Sequence, residues 1–302
     1  MHFTITADTD VGISKKINQD SFIIKKALIG NSEIVMAIIC DGMGGLSKGE
    51  LASATVIEVF SDWFDDNILY EFENINLEII GEKWSLLLKK LNSEINEFGK
   101  DRGIRLGTTF TGALFVDEKY VVVHVGDSRL YHIGTKLSQI TKDQTFIARA
   151  IKNGELTENE AKNDSRRNVL LQCVGASKFV EPEIILGITQ EKGYLFCSDG
   201  FRHVITDEEI YTSLNKVVKD NKKAMSMQIR KLIDLIKLRK EKDNITAIYI
   251  KVENIFDCKF ENNEEKKKYT SHYTLKFLVI FFGIMSVVFL FLGIIKLFLN
   301  GE

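Results

Sequence analysis

IVMAIICDGMGG, residues 34–45, runs seven consecutive apolar residues into an Asp-Gly turn at Asp41. A short run this rich in β-branched residues reads as a strand, and Asp-Gly after it reads as a tight turn. The same grammar recurs in VVVHVGDSR, which reaches Asp127, and in GYLFCSDG, which reaches Asp199. Two more aspartates border strand-like runs from the other side: Asp20 precedes SFIIKK, and Asp243, followed by Asn244, precedes ITAIYIKV. Asp143 lies in the turn-like ITKDQT.

Strands are expected over residues 21–25, 34–40, 109–116, 120–125, 194–197 and 245–252, and helices over 50–64, 82–98 and 222–236. In the second helix Trp84, Leu87, Leu88, Leu91, Ile95 and Phe98 recur at helical spacing and are expected to line a core-facing stripe. The strands cluster and the helices come in blocks, which implies antiparallel sheets with helices packed outside them, an α+β arrangement. No internal repeat interrupts this pattern, and Pro182 is the only proline.

The 302 residues are 45% hydrophobic and 27% charged, with a formal net charge of −2, so no global basic field attracts nucleic acid. The four cysteines, Cys40, Cys173, Cys197 and Cys258, show no C-x-x-C spacing and are expected as small buried hydrophobes of a reducing compartment. The five histidines lack zinc spacing. The first ten residues have no apolar stretch and are not a signal peptide.

The carboxyl end differs. Residues 277–295, FLVIFFGIMSVVFLFLGII, carry no charge, and a helix of that length spans close to the ~30 Å hydrocarbon core of a bilayer. Lys266, Lys267, Lys268 and Lys276 precede the run and only Lys296 follows it, so its amino-terminal side is expected in the cytoplasm. The organisation expected is a catalytic domain over 1–255, a polar tether over 256–274 and a transmembrane helix over 275–299. The protein would then be a single-pass cell-membrane protein with its domain cytoplasmic.

Strand ends of a layered fold gather at a common edge, so four or five of the aspartates would converge there. Such a cluster repels itself, and divalent cations resolve the conflict. All-oxygen ligands favour Mg²⁺ or Mn²⁺ over zinc, and the glycines beside Asp41 let backbone carbonyls approach an ion. Two ions sharing a bridging carboxylate would acidify a water for in-line attack on phosphorus while offsetting charge on the phosphoryl oxygens.

TDVGISKKINQDSF, CDGMGGLSKGELAS, GTTFTGALF, HVGDSRLYHI, ITKDQT, NGELTENEA, CSDGF and KDNITAIYI follow one another between residues 4 and 252. In this ordered series the chain resembles the bacterial type 2C, metal-dependent Ser/Thr protein phosphatases. The resemblance implies a four-layer α-β-β-α sandwich with two central antiparallel sheets and the metal centre at one end. It implies that Asp41 bridges two ions, Gly42 offers its carbonyl oxygen, Asp199 and Asp243 complete the coordination of the second ion, and Asp20 acts mainly through metal-bound water. Asp143 matches a position associated with a third, weaker ion shared with Asp199. Residues 145–180 match a flap beside the cleft, and Asp127, Ser128 and Arg129 match a signature element expected to be structural. Three positions depart from the pattern. Lys15 stands where many relatives place a phosphate-contacting arginine, a change that keeps the charge and loses the bidentate fork. Leu46 stands where some carry histidine, and Gln144 follows Asp143 where many have Asp-His.

The function expected is that of a membrane-anchored Ser/Thr phosphoprotein phosphatase that opposes a kinase. Catalysis would rest on Asp41, Asp199, Asp243 and Lys15, with Mn²⁺ or Mg²⁺ as two ions and room for a third. A catalytically weak module that captures phosphoproteins at the membrane is the alternative. A hydrolase of nucleotides or lipid head groups is a third reading, which no glycine-rich phosphate loop supports.

Overall fold

A computed structural model of the protein describes residues 1–43, 48–73, 75–161, 164–215 and 221–253, which lie within one compact unit, Met1–Ile255. The strands are β1 (His2–Asp10), β2 (Ser21–Ile29), β3 (Ser32–Cys40), β4 (Phe110–Val116), β5 (Lys119–Val125), β6 (Arg129–Ile133), β7 (Leu137–Gln139), β8 (Glu183–Ile188), β9 (Lys192–Cys197) and β10 (Ile245–Glu253). They form two antiparallel sheets, ordered β1-β10-β9-β6-β7 and β2-β3-β4-β5-β8. The helices are α1 (Gly49–Glu73), α2 (Leu77–Arg102), α3 (Phe146–Lys152), α4 (Glu158–Ala161), α5 (Asp199–Arg202), α6 (Asp207–Asn215) and α7 (Lys222–Leu238).

Three apolar layers hold these elements together. Between the sheets lie Val35, Ala37, Ile39, Phe115, Phe196, Ile248 and Ile250. The alternate residues of β3, Ile34, Met36, Ile38 and Cys40, point the other way and pack with Phe60 of α1 and Trp84 of α2. Because β3 is covered on both faces from Ile34 onward, its residues 34–40 are apolar at every position instead of alternating. On the far side, Leu195, Cys197 and Ala247 pack against Phe201, Ile229, Leu232 and Ile233 of α5 and α7. The result is the expected α+β sandwich, sheets inside and helices outside.

Several elements differ from expectation. The first two helices are longer than their apolar spacing implied, and α2 runs from an Asn76 cap, whose side chain accepts from Glu78 and Ile79 N–H, to a left-handed Gly103. Phe98 is not core: it is 37% exposed and lies under the Arg102 guanidinium, 3.8 Å from its ring centre. Cys40, Cys173 and Cys197 are free and buried, as expected. Cys258, the tether and the apolar run of residues 277–295 fall outside the described residues, as does Leu46. Among the described residues no helix is long and apolar enough to cross a membrane.

Candidate active site

Strand register brings the aspartates together. Ser21 pairs with Cys40, so Asp20 before β2 and Asp41 after β3 sit at the same end of one sheet. Ala247 pairs with Cys197, so Asp243 before β10 and Asp199 after β9 sit at the same end of the other. A hydrogen bond joins the two ends: Thr246 Oγ1 of β10 donates to Asp20 Oδ2 at 2.6 Å. Asp127 lies where the chain crosses from β5 in one sheet to β6 in the other, and Ser128 Oγ is 2.8 Å from Thr109 Oγ1.

The turns fit only because two of them lack a side chain. A Cβ on Gly42 would stand 2.4 Å from the Gln19 carbonyl oxygen, which accepts from Gly42 N–H at 3.1 Å. One on Gly200 would stand 2.2 Å from the Asn244 carbonyl oxygen. These contacts lock the Asp41 turn to the Asp20 loop and the Asp199 turn to the Asp243 loop. Asn244 completes the clamp. Its Nδ2 donates to Val11 and Ile17 carbonyls and its Oδ1 accepts from Gln19 N–H, which fixes the loop carrying Lys15.

The charges are poorly matched. Burial and the neighbouring Asp20 and Asp199 carboxylates push Asp41 well above the usual carboxylate range, with Asp127 and Asp243 adding to the effect. Burial outweighs hydrogen bonds from Thr246 and Ser198 and, with Asp199 and Asp243 nearby, raises Asp20 to about 7. Burial and Asp199 raise Asp127 to about 7 although Arg202 opposes them. Asp199 Oδ1 is buried and has no hydrogen-bond partner. Lys15 Nζ pairs with Asp243 Oδ1 at 3.1 Å. No three His, Cys, Asp or Glu side chains among the described residues stand close enough to enclose an ion. They are neighbours at electrostatic range, with an unpartnered inward oxygen and a surplus of negative charge. Such a donor set fits divalent cations of the Mg²⁺ or Mn²⁺ kind.

Asp143 sits in different company. Arg129 grips it with two bonds, Nε to Oδ1 at 2.8 Å and Nη2 to Oδ2 at 2.7 Å, and Gln139 Nε2 adds a third at 2.9 Å. Arg202 Nη2 reaches Asp143 Oδ2 at 3.5 Å and Asp127 Oδ2 at 3.4 Å. Burial works against its charge, but the Arg129 bonds and the Arg202 charge prevail and hold Asp143 below the usual range. Asp127, Ser128 and Arg129 are thus all engaged in holding the loop. His124 joins them: buried, and depressed to about 4 by that burial, it links Thr111 Oγ1 to the Lys142 carbonyl. Gln144 Oε1 accepts from Gly126 N–H and from Gln172 Nε2, both at 2.8 Å. It ties the crossing turn to the flap, and an amide cannot serve there as a proton donor in exchange.

Two residues escaped the sequence reading. Arg202 ends α5 and His203 caps it, three and four residues after Asp199. His203 Nε2 lies 3.5 Å from Asp199 Oδ2 and its Nδ1 lies 3.6 Å from Glu241 Oε2, while Glu241 Oε1 accepts from Asp243 N–H. The signal was present in the spacing: a cation four residues after an aspartate at a helix start faces it.

Comparison with known proteins agrees with this geometry. The family model described as protein phosphatase 2C matches residues 13–232. The protein phosphatase PhpP of Streptococcus pneumoniae is 30% identical over 206 residues, 67% of this chain and 80% of that protein. The crystal structure of the serine/threonine phosphatase Stp1 from Staphylococcus aureus superposes with a TM-score of 0.73 at 27% identity, covering 84% of this chain and 96% of that one. The catalytic domain of the serine/threonine protein phosphatase PstP, solved with two manganese ions, gives 0.68 and 27%, over 83% and 99%. The chain belongs to the protein phosphatase 2C family, metal-dependent Ser/Thr protein phosphatases.

Proposed function

We propose that the chain is a membrane-anchored phosphoprotein phosphatase that removes phosphate from Ser and Thr side chains with two divalent ions held by Asp41, Asp199 and Asp243. The observation that carries this reading is the convergence of these strand ends, with Asp199 Oδ1 buried and unpartnered among them. Asp41 would be shared between the ions, the Gly42 carbonyl would complete one shell, and Asp20 would contribute through water. When bound, such ions acidify a water and offset the charge that builds on the phosphoryl oxygens. Lys15, on the loop clamped by Asn244, would leave Asp243 to meet an incoming phosphate. Thr246 and Ser198 hold the Asp20 carboxylate in place. The purified full chain in detergent should hydrolyse an aryl phosphate with Mn²⁺ and stop in chelator; equal turnover in both would overturn the reading. Phosphoserine and phosphothreonine peptides should outcompete nucleotides as substrates, and a preference for nucleotides would reassign the substrate class.

Residues 277–295 would anchor the domain, with its active site in the cytoplasm and a membrane-bound kinase as the activity it opposes. The support is the uncharged apolar run and the lysines before it. Deleting residues 275–302 should release the protein from sedimenting membranes. Continued sedimentation would place the anchor elsewhere.

A further inference from the structure

The two oxygens of the Asp199 carboxylate have different surroundings. Oδ1 is buried without a hydrogen-bond partner, whereas Oδ2 faces His203 Nε2 at 3.5 Å. Across the same ring, His203 Nδ1 faces Glu241 Oε2 at 3.6 Å. We propose that His203 and Glu241 are positioning residues for the metal centre, a brace that sets Asp199 against the Asp243 loop so that both carboxylates reach one ion. This rests on the two-ion reading above.

Each link of the brace is fixed at its base. His203 N–H donates to the Asp199 carbonyl at 3.2 Å, so backbone and ring both tie this residue to Asp199. Glu241 is buried, and its Oε1 accepts from Lys242 N–H at 2.7 Å and from Asp243 N–H at 3.0 Å. Its own N–H donates to the Ile236 carbonyl of α7 at 3.3 Å. An imidazole carries nitrogens on two sides, so one ring spans two carboxylates. The turn after β9 and the loop before β10 are thereby joined through Asp199, His203 and Glu241, and holding Oδ2 leaves Oδ1 as the oxygen offered to an ion. A side chain left free to rotate must be ordered when it binds, and that ordering opposes binding. Outer partners of ligating carboxylates contribute about 10- to 100-fold to metal affinity. Contacts of 3.5 and 3.6 Å are long, so the low end of that range is expected here.

Charge and alignment predict different signs. Glu241→Gln removes an anion, and His203→Ala removes a ring whose only charge is positive. Acting through charge alone, the first would weaken Mn²⁺ binding and the second would tighten it or leave it unchanged; loss of a brace weakens it in both. Mn²⁺ binding to the purified full chain in detergent is followed by the spin-resonance signal of free Mn²⁺, with thermal melts in chelator run beside it. Wild type should bind two ions. In His203→Ala and in Glu241→Gln one of the two should bind about tenfold more weakly. The double variant should be no weaker than either single one, because a brace is lost only once. A structural role alone would lower the melting temperature in chelator and leave the affinity of the folded protein unmoved, which overturns the proposal. So would tighter binding in His203→Ala, or effects that simply add in the double variant. Should His203→Ala fail to fold, Glu241→Gln decides by itself, because its amide oxygen can keep both loop hydrogen bonds: unchanged affinity there sinks the brace and leaves the two-ion centre standing. Wild type binding fewer than two ions would overturn both this inference and the reading beneath it.

Discussion

Asp41 and Asp143 are the same residue type, half-buried at the same end of one sandwich, and they are pushed in opposite directions. Asp41, with Asp20, Asp199, Asp127 and Asp243 as its charged neighbours, is driven well above the ordinary range. Asp143, between Arg129 and Arg202, is held below it. Burial opposes the charge of both, so burial is not what separates them. The difference is the supply of positive charge: one half of the edge carries its own cations, and the other leaves its anions to repel. A binding site for external cations is the half the chain has not neutralised.

The largest effect should come from removing an anion where the chain is short of cations. Asp199→Ala or Asp41→Asn should lower turnover of a phosphopeptide by at least about 10³-fold, because stabilisation by bound metal contributes several kcal/mol. The same change at Asp143 should cost far less activity. If Asp143→Asn proved as damaging to turnover as Asp41→Asn, the two halves would not differ in role.

The neutralised half should fail in stability instead. Arg129→Ala leaves Asp143 buried without its bidentate partner, which should cost about 3–5 kcal/mol of folding free energy in thermal melts. Arg129→Ala combined with Asp143→Asn should recover much of that loss, since the stranded charge goes with it. An Arg129→Ala protein as stable as wild type would mean that Arg202 alone balances the loop.

This division shows which parts were legible in the sequence. Asp41, Asp127 and Asp199 were visible because an apolar run stops at each and a glycine stands beside it. Their meeting was inferable because strand ends share an edge, and the β2–β3 and β9–β10 registers fulfil that. What sequence could not supply was the sign of each local charge. Arg129 and Arg202 are 14 and 59 residues from Asp143 in chain number, and no spacing rule joins them. Strands β1, β6, β7 and β8 were not expected either. β1 mixes polar residues at an edge, HFTITADTD, and β7 has three residues, so neither offers an apolar run. Phe98 satisfied helical spacing, yet it is exposed and packs under the Arg102 guanidinium.

Titration offers a milder probe of the same contrast. Asp20 and Asp127 are raised from 3.8 to about 7, so the folded state retains protons that the unfolded chain releases. The stability they allow is complete below about pH 4 and is lost as pH rises through about 7. Glu33, lowered to about 2 by His2 and Lys26 despite its burial, acts oppositely only below its ordinary 4.5, and buried His124, lowered from 6.5 to about 4, acts oppositely between those values but sets one proton against two. Between pH 4.5 and 7.5 the melting temperature of the chelated protein should therefore fall as pH rises. Saturating Mn²⁺ should flatten the slope, because cations then replace the protons. A melting temperature that climbs with pH in chelator would show that the aspartates are already compensated.

The smallest effect belongs to Lys15, the lysine that pairs with Asp243 in the depleted half. It pairs with Asp243 at 3.1 Å, and both side chains are about a third exposed, so solvent screens the pair and limits its worth to the range of surface ion pairs, under about 1 kcal/mol. A contact that weak is easily exchanged, and Lys15 can leave Asp243 for a phosphate once another cation covers that carboxylate. Lys15→Ala should then raise the inhibition constant of inorganic phosphate by about five- to tenfold, the cost of one charge-assisted bond. Lys15→Arg should lower it by restoring the bidentate fork. Mn²⁺ affinity should move little in Lys15→Arg and tighten slightly in Lys15→Ala, where nothing competes for Asp243. If Lys15→Ala instead weakened Mn²⁺ binding and left phosphate inhibition unchanged, Lys15 would be a brace for the Asp243 loop, and the half of the edge short of cations would meet phosphate without any side chain of its own.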